Sequence, residues 1–267
     1  MASSELLLPC LDPAPQPTRK LCPGICARPL SVCLCHVLPS NPIPTRTEIV
    51  VLHHPHEQKH KLATVPALAK CLRDCEVVVG RRLRLGDSPV LDALYAEALE
   101  DSGGGRGRRA VFLFPGNDSM PSIEIDHWHS TLTDANSKGI VLIVFDGTWK
   151  HAKEMVRASL PFLLKFATCV CLTYDVVVAG GSIFDSELIL RKEPFGGCMS
   201  TLEAVARALR VLEPAGGEIE EKLVSVLKAM VSFQSCHLKP MKARTKMLKK
   251  KIEEKGNSKS TGIEHQN

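Results

Sequence analysis

Residues 139–145 read GIVLIVF, and this unbroken apolar run constrains the fold more than any other segment. A strand with one wetted face alternates apolar and polar residues. A run that is apolar on both faces belongs at the centre of a parallel sheet covered by helices on either side. The run stops at Asp146-Gly147-Thr148-Trp149. In open parallel sheets ligands bind beyond the carboxyl ends of the strands. At that point Asp146 offers a carboxylate, Gly147 permits a tight turn or close approach, Thr148 can cap the next helix, and Trp149 offers an aromatic face. An Asp-Gly turn with a Thr cap and a core Trp satisfies the same residues, so the pattern alone leaves site and turn open.

The rest of the chain alternates in the same manner. Strands are expected at residues 48–53 (EIVVLH), 76–79, 110–114, 168–173 and 187–191. Helices are expected at 59–72, with Pro66 interrupting, at 88–99, from 149 to about 158, at 200–212 and at 218–233. Ser88 caps the second of these, with Pro89 in its first position. Such alternation specifies an α/β domain with a mainly parallel sheet flanked by helices. Residues 45–236 hold this domain. Residues 1–20, Pro-rich and without periodicity, are expected to be disordered.

The chain has 267 residues, 44% of them apolar but only 4% aromatic, so the core must be mostly aliphatic. No apolar run approaches the roughly 20 residues that span a bilayer. The N-terminus lacks the basic region of a secretory signal. A reducing compartment, cytosol or nucleus, is therefore expected, with no membrane association. In such a compartment the 11 cysteines serve as metal ligands where clustered and as small core residues where scattered. Cys71, Cys75, Cys169, Cys171 and Cys198 are scattered. Cys22, Cys26, Cys33 and Cys35 fall within a knuckle at residues 21–40, a set that suits a tetrahedral zinc ion. An iron–sulfur cluster and plain reduced thiols are the other readings, and His36 is a substitute ligand. Of the net charge of +5, residues 237–259 carry +7, leaving −2 for the remainder. The basic excess is thus a tail, 237–267, suited to polyanion binding or nuclear import.

Two further loops resemble ligand-facing turns. Phe114-Pro115-Gly116-Asn117-Asp118-Ser119 follows an apolar strand, where Pro-Gly fixes a turn with its amides available. At Gly196-Gly197-Cys198-Met199-Ser200-Thr201-Leu202-Glu203 two glycines lead into a helix start. There Glu203 is placed as the acidic partner of a capping box, and the free amides suit a carboxylate or phosphate. His53-His54-Pro55-His56-Glu57 places three histidines after a buried strand. Because Pro55 breaks any helical spacing, a substrate-facing loop is favoured over a catalytic metal site.

These segments together resemble the signature of the DTW-domain proteins. The carriers are Cys33-Leu34-Cys35, His54-Pro55-x-Glu57, Phe114-Pro115-Gly116, Asp146-Gly147-Thr148-Trp149 with Ala152 and Met155, Arg191-x-x-Pro194, and Ser200-Thr201-Leu202-Glu203-Ala204. They occur in the family's order across about residues 20–235. The resemblance implies a SPOUT-like fold with a C-terminal trefoil knot. It also implies transfer of the 3-amino-3-carboxypropyl group of S-adenosylmethionine to N3 of a tRNA D-loop uridine. In that reading Asp146, Thr148 and Trp149 are catalytic, with Asp146 the base or orienting acceptor. Phe114, Pro115, Gly116, Gly147, Ser200, Thr201 and Glu203 hold the cofactor. Arg28, His54, Lys59, Lys61, Arg191 and Lys192 face tRNA. Residues 176–182 (VVVAGGS) do not align with the family's pattern. Two rival readings are an RNA methyltransferase using the same cofactor and a non-catalytic zinc-containing RNA binder.

Overall fold

The computed structural model describes residues 20–60, 62–100, 107–117, 119–132, 139–172 and 199–237. Among these residues six strands form one sheet: β1 (Thr47–His53), β2 (Cys75–Val79), β3 (Arg109–Leu113), β4 (Ile123–Glu124), β5 (Ile140–Asp146) and β6 (Ala167–Cys171). Their order is β2-β1-β5-β3-β6-β4, and every pairing is parallel. The expectation of a mainly parallel sheet is met in full. β5 enters between β1 and β3, and β6 between β3 and β4.

Among the described residues six α-helices pack on the sheet: α1 (Val65–Cys71), α2 (Pro89–Glu100), α3 (Ile125–Ser130), α4 (Trp149–Leu163), α5 (Thr201–Leu212) and α6 (Gly216–Ser235). The apolar run of β5 divides between two cores. Leu142 and Val144 join Ile49 and Val51 of β1 under α1, α3, α5 and α6. Val141 and Ile143 join Val50, Leu52 and Phe112 under α2 and α4. This is why the run has no polar phase: each face buries side chains, at about 1.5–3 kcal/mol for each large one. Among the described residues no helix is long and apolar enough to cross a membrane.

Three expectations change. Pro66 opens α1 rather than interrupting a helix over 59–72, because only the first turn tolerates a residue without an N–H. α4 continues past Ala158 to Leu163, with Pro161 inside it, since its apolar face keeps finding core at Ser159, Phe162 and Leu163. β4 and α3 were not foreseen; at two and six residues they carry too little periodicity to read. Ser88 does cap α2, accepting from Leu91 N at 3.3 Å. Cys71 and Cys169 are buried; Cys75 and Cys171 are half-buried. Residues 173–198 lie outside the described residues, and with them Cys198, the strand expected at 187–191 and the path a C-terminal knot would need. The basic tail from 238 onward does as well.

Candidate active site and cysteine centre

Strand order creates the site. β1 and β5 run in register, so their last residues, His53 and Asp146, lie side by side. Both follow the alternation of Ile49, Val51, Leu142 and Val144, which turns them toward α5. His53 Nδ1 donates to Asp146 Oδ2 at 2.6 Å, and Thr201 Oγ1 at the start of α5 donates to Asp146 Oδ1 at 2.5 Å. Asp146 is 5% exposed and His53 3%. The buried carboxylate thus has a donor on each oxygen, as a buried polar group requires. The same contacts tie the first turn of α5 to the end of the sheet. Ser200 caps α5 by accepting from Glu203 N at 3.2 Å, and Leu202 N donates to Thr64 Oγ1 at 3.4 Å.

On the opposite face α4 begins at the same edge. Thr148 is its N-cap and accepts from His151 N at 3.3 Å. Gly147 is hemmed in: a Cβ there would lie 3.0 Å from His151 Cβ and 3.2 Å from Met155 Cε. Trp149 approaches Phe114 at the end of β3, with ring centroids 6.1 Å apart. Gly116 donates to Ser122 Oγ at 3.0 Å, and a Cβ on it would meet Ser122 N at 2.6 Å, so the turn after Phe114 and Pro115 requires glycine.

Asp146, Gly147, Thr148, Trp149, Phe114, Ser200 and Thr201 therefore gather at the carboxyl edge of the sheet. Glu203 lies one turn into α5, fully buried, with Arg207 Nη2 at 2.8 Å. Lys59 is exposed on the loop after β1. Lys61, Arg191 and Lys192 are outside the described residues. Sequence reading missed two members of this edge. The His53–Asp146 pair spans 93 positions, and only the insertion of β5 beside β1 reveals it. His151 has a local signal, one turn after the Thr148 cap, but nothing in sequence says that its ring stacks on His54 at 3.9 Å. The ring nitrogens of His54, His56 and His151 lie within 4.8 Å of one another.

The cysteine knuckle stands elsewhere, against α6. Cys26, Leu34 and Leu38 join the core beneath α6, and His36 packs on Phe233 with centroids 5.3 Å apart. Arg28 lies half-buried in the same knuckle. The sulfur separations are 3.3 Å for Cys22–Cys33, 3.5 Å for Cys22–Cys35 and 3.6 Å for Cys26–Cys33. Four thiolates at Zn–S bonds of about 2.3 Å in a tetrahedron stand ~3.8 Å apart, so the four sulfurs fit a metal ion with small adjustment. Gly24 serves this centre. Its N–H donates to Cys22 Sγ at 3.3 Å, and a Cβ on it would lie 2.9 Å from Cys35 Sγ. Gly24→Ala is expected to weaken metal affinity by about tenfold, the scale of lost support around ligands; a chelator titration of the purified chain reads it.

The DTW domain matches residues 19–235. The chain is 49% identical over 245 residues to tRNA-uridine aminocarboxypropyltransferase A of Arabidopsis thaliana, covering 88% of each. It is 33% identical over 220 residues to tRNA-uridine aminocarboxypropyltransferase 2 of Mus musculus, spanning 63% of that protein's length. It is 31% identical over 221 residues to the Drosophila melanogaster protein of the same name. No solved structure matches the chain. The chain belongs to the DTW-domain family.

Proposed function

We propose that this protein transfers the 3-amino-3-carboxypropyl group of S-adenosylmethionine to N3 of a D-loop uridine in tRNA, within the cytosol or nucleus. The observation that carries the reading is 49% identity to a protein named tRNA-uridine aminocarboxypropyltransferase A, across 88% of both chains. S-adenosylmethionine held at this edge would supply an electrophilic γ-carbon: as the N3–Cγ bond formed, the Cγ–S bond would break with its electron pair leaving on sulfur as 5′-methylthioadenosine, and the N3 proton would pass to water.

Choosing that carbon over the methyl is a matter of positioning. The start of α5, the positive end of that helix, suits the carboxylate of the methionine arm. Asp146 fixes that helix start through Thr201, so it acts as an orienting acceptor. Phe114, Trp149 and the turn through Pro115 and Gly116 form a wall suited to the adenosine. The SPOUT-like cofactor knot belongs to the same reading, as does a zinc ion on Cys22, Cys26, Cys33 and Cys35. Arg28, Lys59, Lys61, Arg191, Lys192 and the basic tail would meet tRNA phosphates.

The test uses S-adenosylmethionine labelled on the carboxyl or on the methyl group, with tRNA as acceptor. Carboxyl label should enter the RNA as 3-(3-amino-3-carboxypropyl)uridine. Methyl label in RNA would make the protein a methyltransferase, and tRNA binding without either label would make it a binder only.

A further inference from the structure

The histidines on the α4 side of the site are not explained by cofactor binding. His54 is 2% exposed, yet its ring stacks on that of His151 with an interplanar angle of 10°, and His56 meets both edge-on. His151 Nδ1 is buried without a hydrogen-bond partner among the described residues. Burial lowers the His54 pKa, and the charges of His151, His56 and Arg81 push it the same way, with Glu57 opposing. Arg81 itself is exposed, on the loop that follows β2. Four basic groups from three segments thus share one side of the edge, with one buried carboxylate, Glu57, against them.

Such a concentration of basic groups is satisfied by an anion. A metal ion fits poorly. An imidazole lone pair lies in the plane of its own ring, so two nearly parallel stacked rings cannot both aim at one ion. The positive end of α4, where His151 sits, also repels cations and attracts anions. On the proposed function the polyanion that comes to this edge is tRNA. We infer that His54, His56, His151 and Arg81 form a clamp for a backbone phosphodiester of the nucleic acid beside the target nucleotide. This rests on the tRNA reading above. The bound phosphate draws a proton onto the imidazole stack, and Arg81 supplies a permanent charge.

The experiment compares wild type, His151→Gln and Arg81→Gln for KM of tRNA, KM of S-adenosylmethionine and salt dependence. Both variants alter partly or fully exposed side chains, and thermal melts check that they fold. Each should raise the tRNA KM about tenfold and leave the cofactor KM unchanged, and Arg81→Gln should reduce the salt slope by about one. In wild type the tRNA KM should climb as pH rises, because only the protonated ring attracts phosphate, and burial places that climb on the acid side of the usual imidazole range by lowering His54. An unchanged tRNA KM and salt slope overturn the clamp. A rise in the cofactor KM alone reassigns the anion to the methionine carboxylate and overturns it too. A metal ion lost on His151→Gln, by elemental analysis, overturns it in favour of a metal site. Absence of transfer by wild type, with RNA still bound more weakly by the variants, would sink the catalytic reading and leave the clamp standing.

Discussion

Replacing Asp146 with alanine is expected to cut transfer by about a hundredfold or more, since a shift of about 1 Å in a positioning group has that effect. The physical reason is the pair of hydrogen bonds that its carboxylate accepts from His53 Nδ1 and Thr201 Oγ1. Without it the first turn of α5 loses its tie to β5, and with it the placement of the helix start that would face the methionine carboxylate. The buried His53 donor and the half-buried Thr201 hydroxyl also lose their acceptor, at about 1–3 kcal/mol for a buried one, so the melting temperature should fall together with activity. Two companion variants separate the roles. His53→Gln keeps an N–H donor at the position and should retain most activity, whereas His53→Leu leaves Oδ2 unpaired and should lose it. Were His53 a proton acceptor in catalysis, His53→Gln would fail as badly as His53→Leu. Full activity in Asp146→Ala would remove Asp146 from the site.

That prediction depends on knowledge the sequence holds only in part. The central strand was legible because burial on both faces leaves no polar phase in GIVLIVF. The caps at Ser88, Thr148 and Ser200 were legible because a cap is a local hydrogen bond. The partnership of His53 with Asp146 was not, since it follows from strand order: β5 must slip between β1 and β3, a long-range choice made by the packing of two cores rather than by any window of residues. The histidine stack was hidden for the same reason, as His54 and His151 meet only because β1 and α4 share an edge. Pro66 was misread because one residue type marks both a break and a start, and only the position of the apolar face after Val65 decides between them. The cysteine knuckle was legible as a set of thiols, but its seat against α6 was not, because that contact joins the two ends of the chain.

That seat determines what metal removal should do. Metal on four thiolates contributes apparent binding free energy of about 10–16 kcal/mol in small zinc domains, where folding and binding are one event. Here the sheet begins only at Thr47, so stripping the metal, or Cys26→Ser with Cys33→Ser, should release the knuckle without unfolding the body. The loss is then confined to the cover that Cys26, Leu34 and Leu38 give α6, and a melting temperature lower by on the order of 10 °C is expected for a few kcal/mol in a domain of this size. Proteolysis should cut first near residues 20–40. The pH dependence has a definite sign. Burial pushes the Cys26 thiol up, but the backbone N–H groups of Arg28 and Leu34, with the neighbouring thiols, outweigh it and bring it to about 6. The Gly24 N–H pulls Cys22 down, but the thiols of Cys33 and Cys35 outweigh it and push Cys22 to about 12. Without a cation, then, the cluster gives up its first proton easily and its last only with difficulty. Metal binding must expel the remaining protons, so the folded, loaded protein carries fewer than the unfolded chain, and stability falls as pH falls. A chelator should therefore strip the metal more readily at pH about 6 than at about 8. A Cys26→Ser, Cys33→Ser protein that still holds one metal per chain and melts like wild type would show that the four sulfurs are not its ligands.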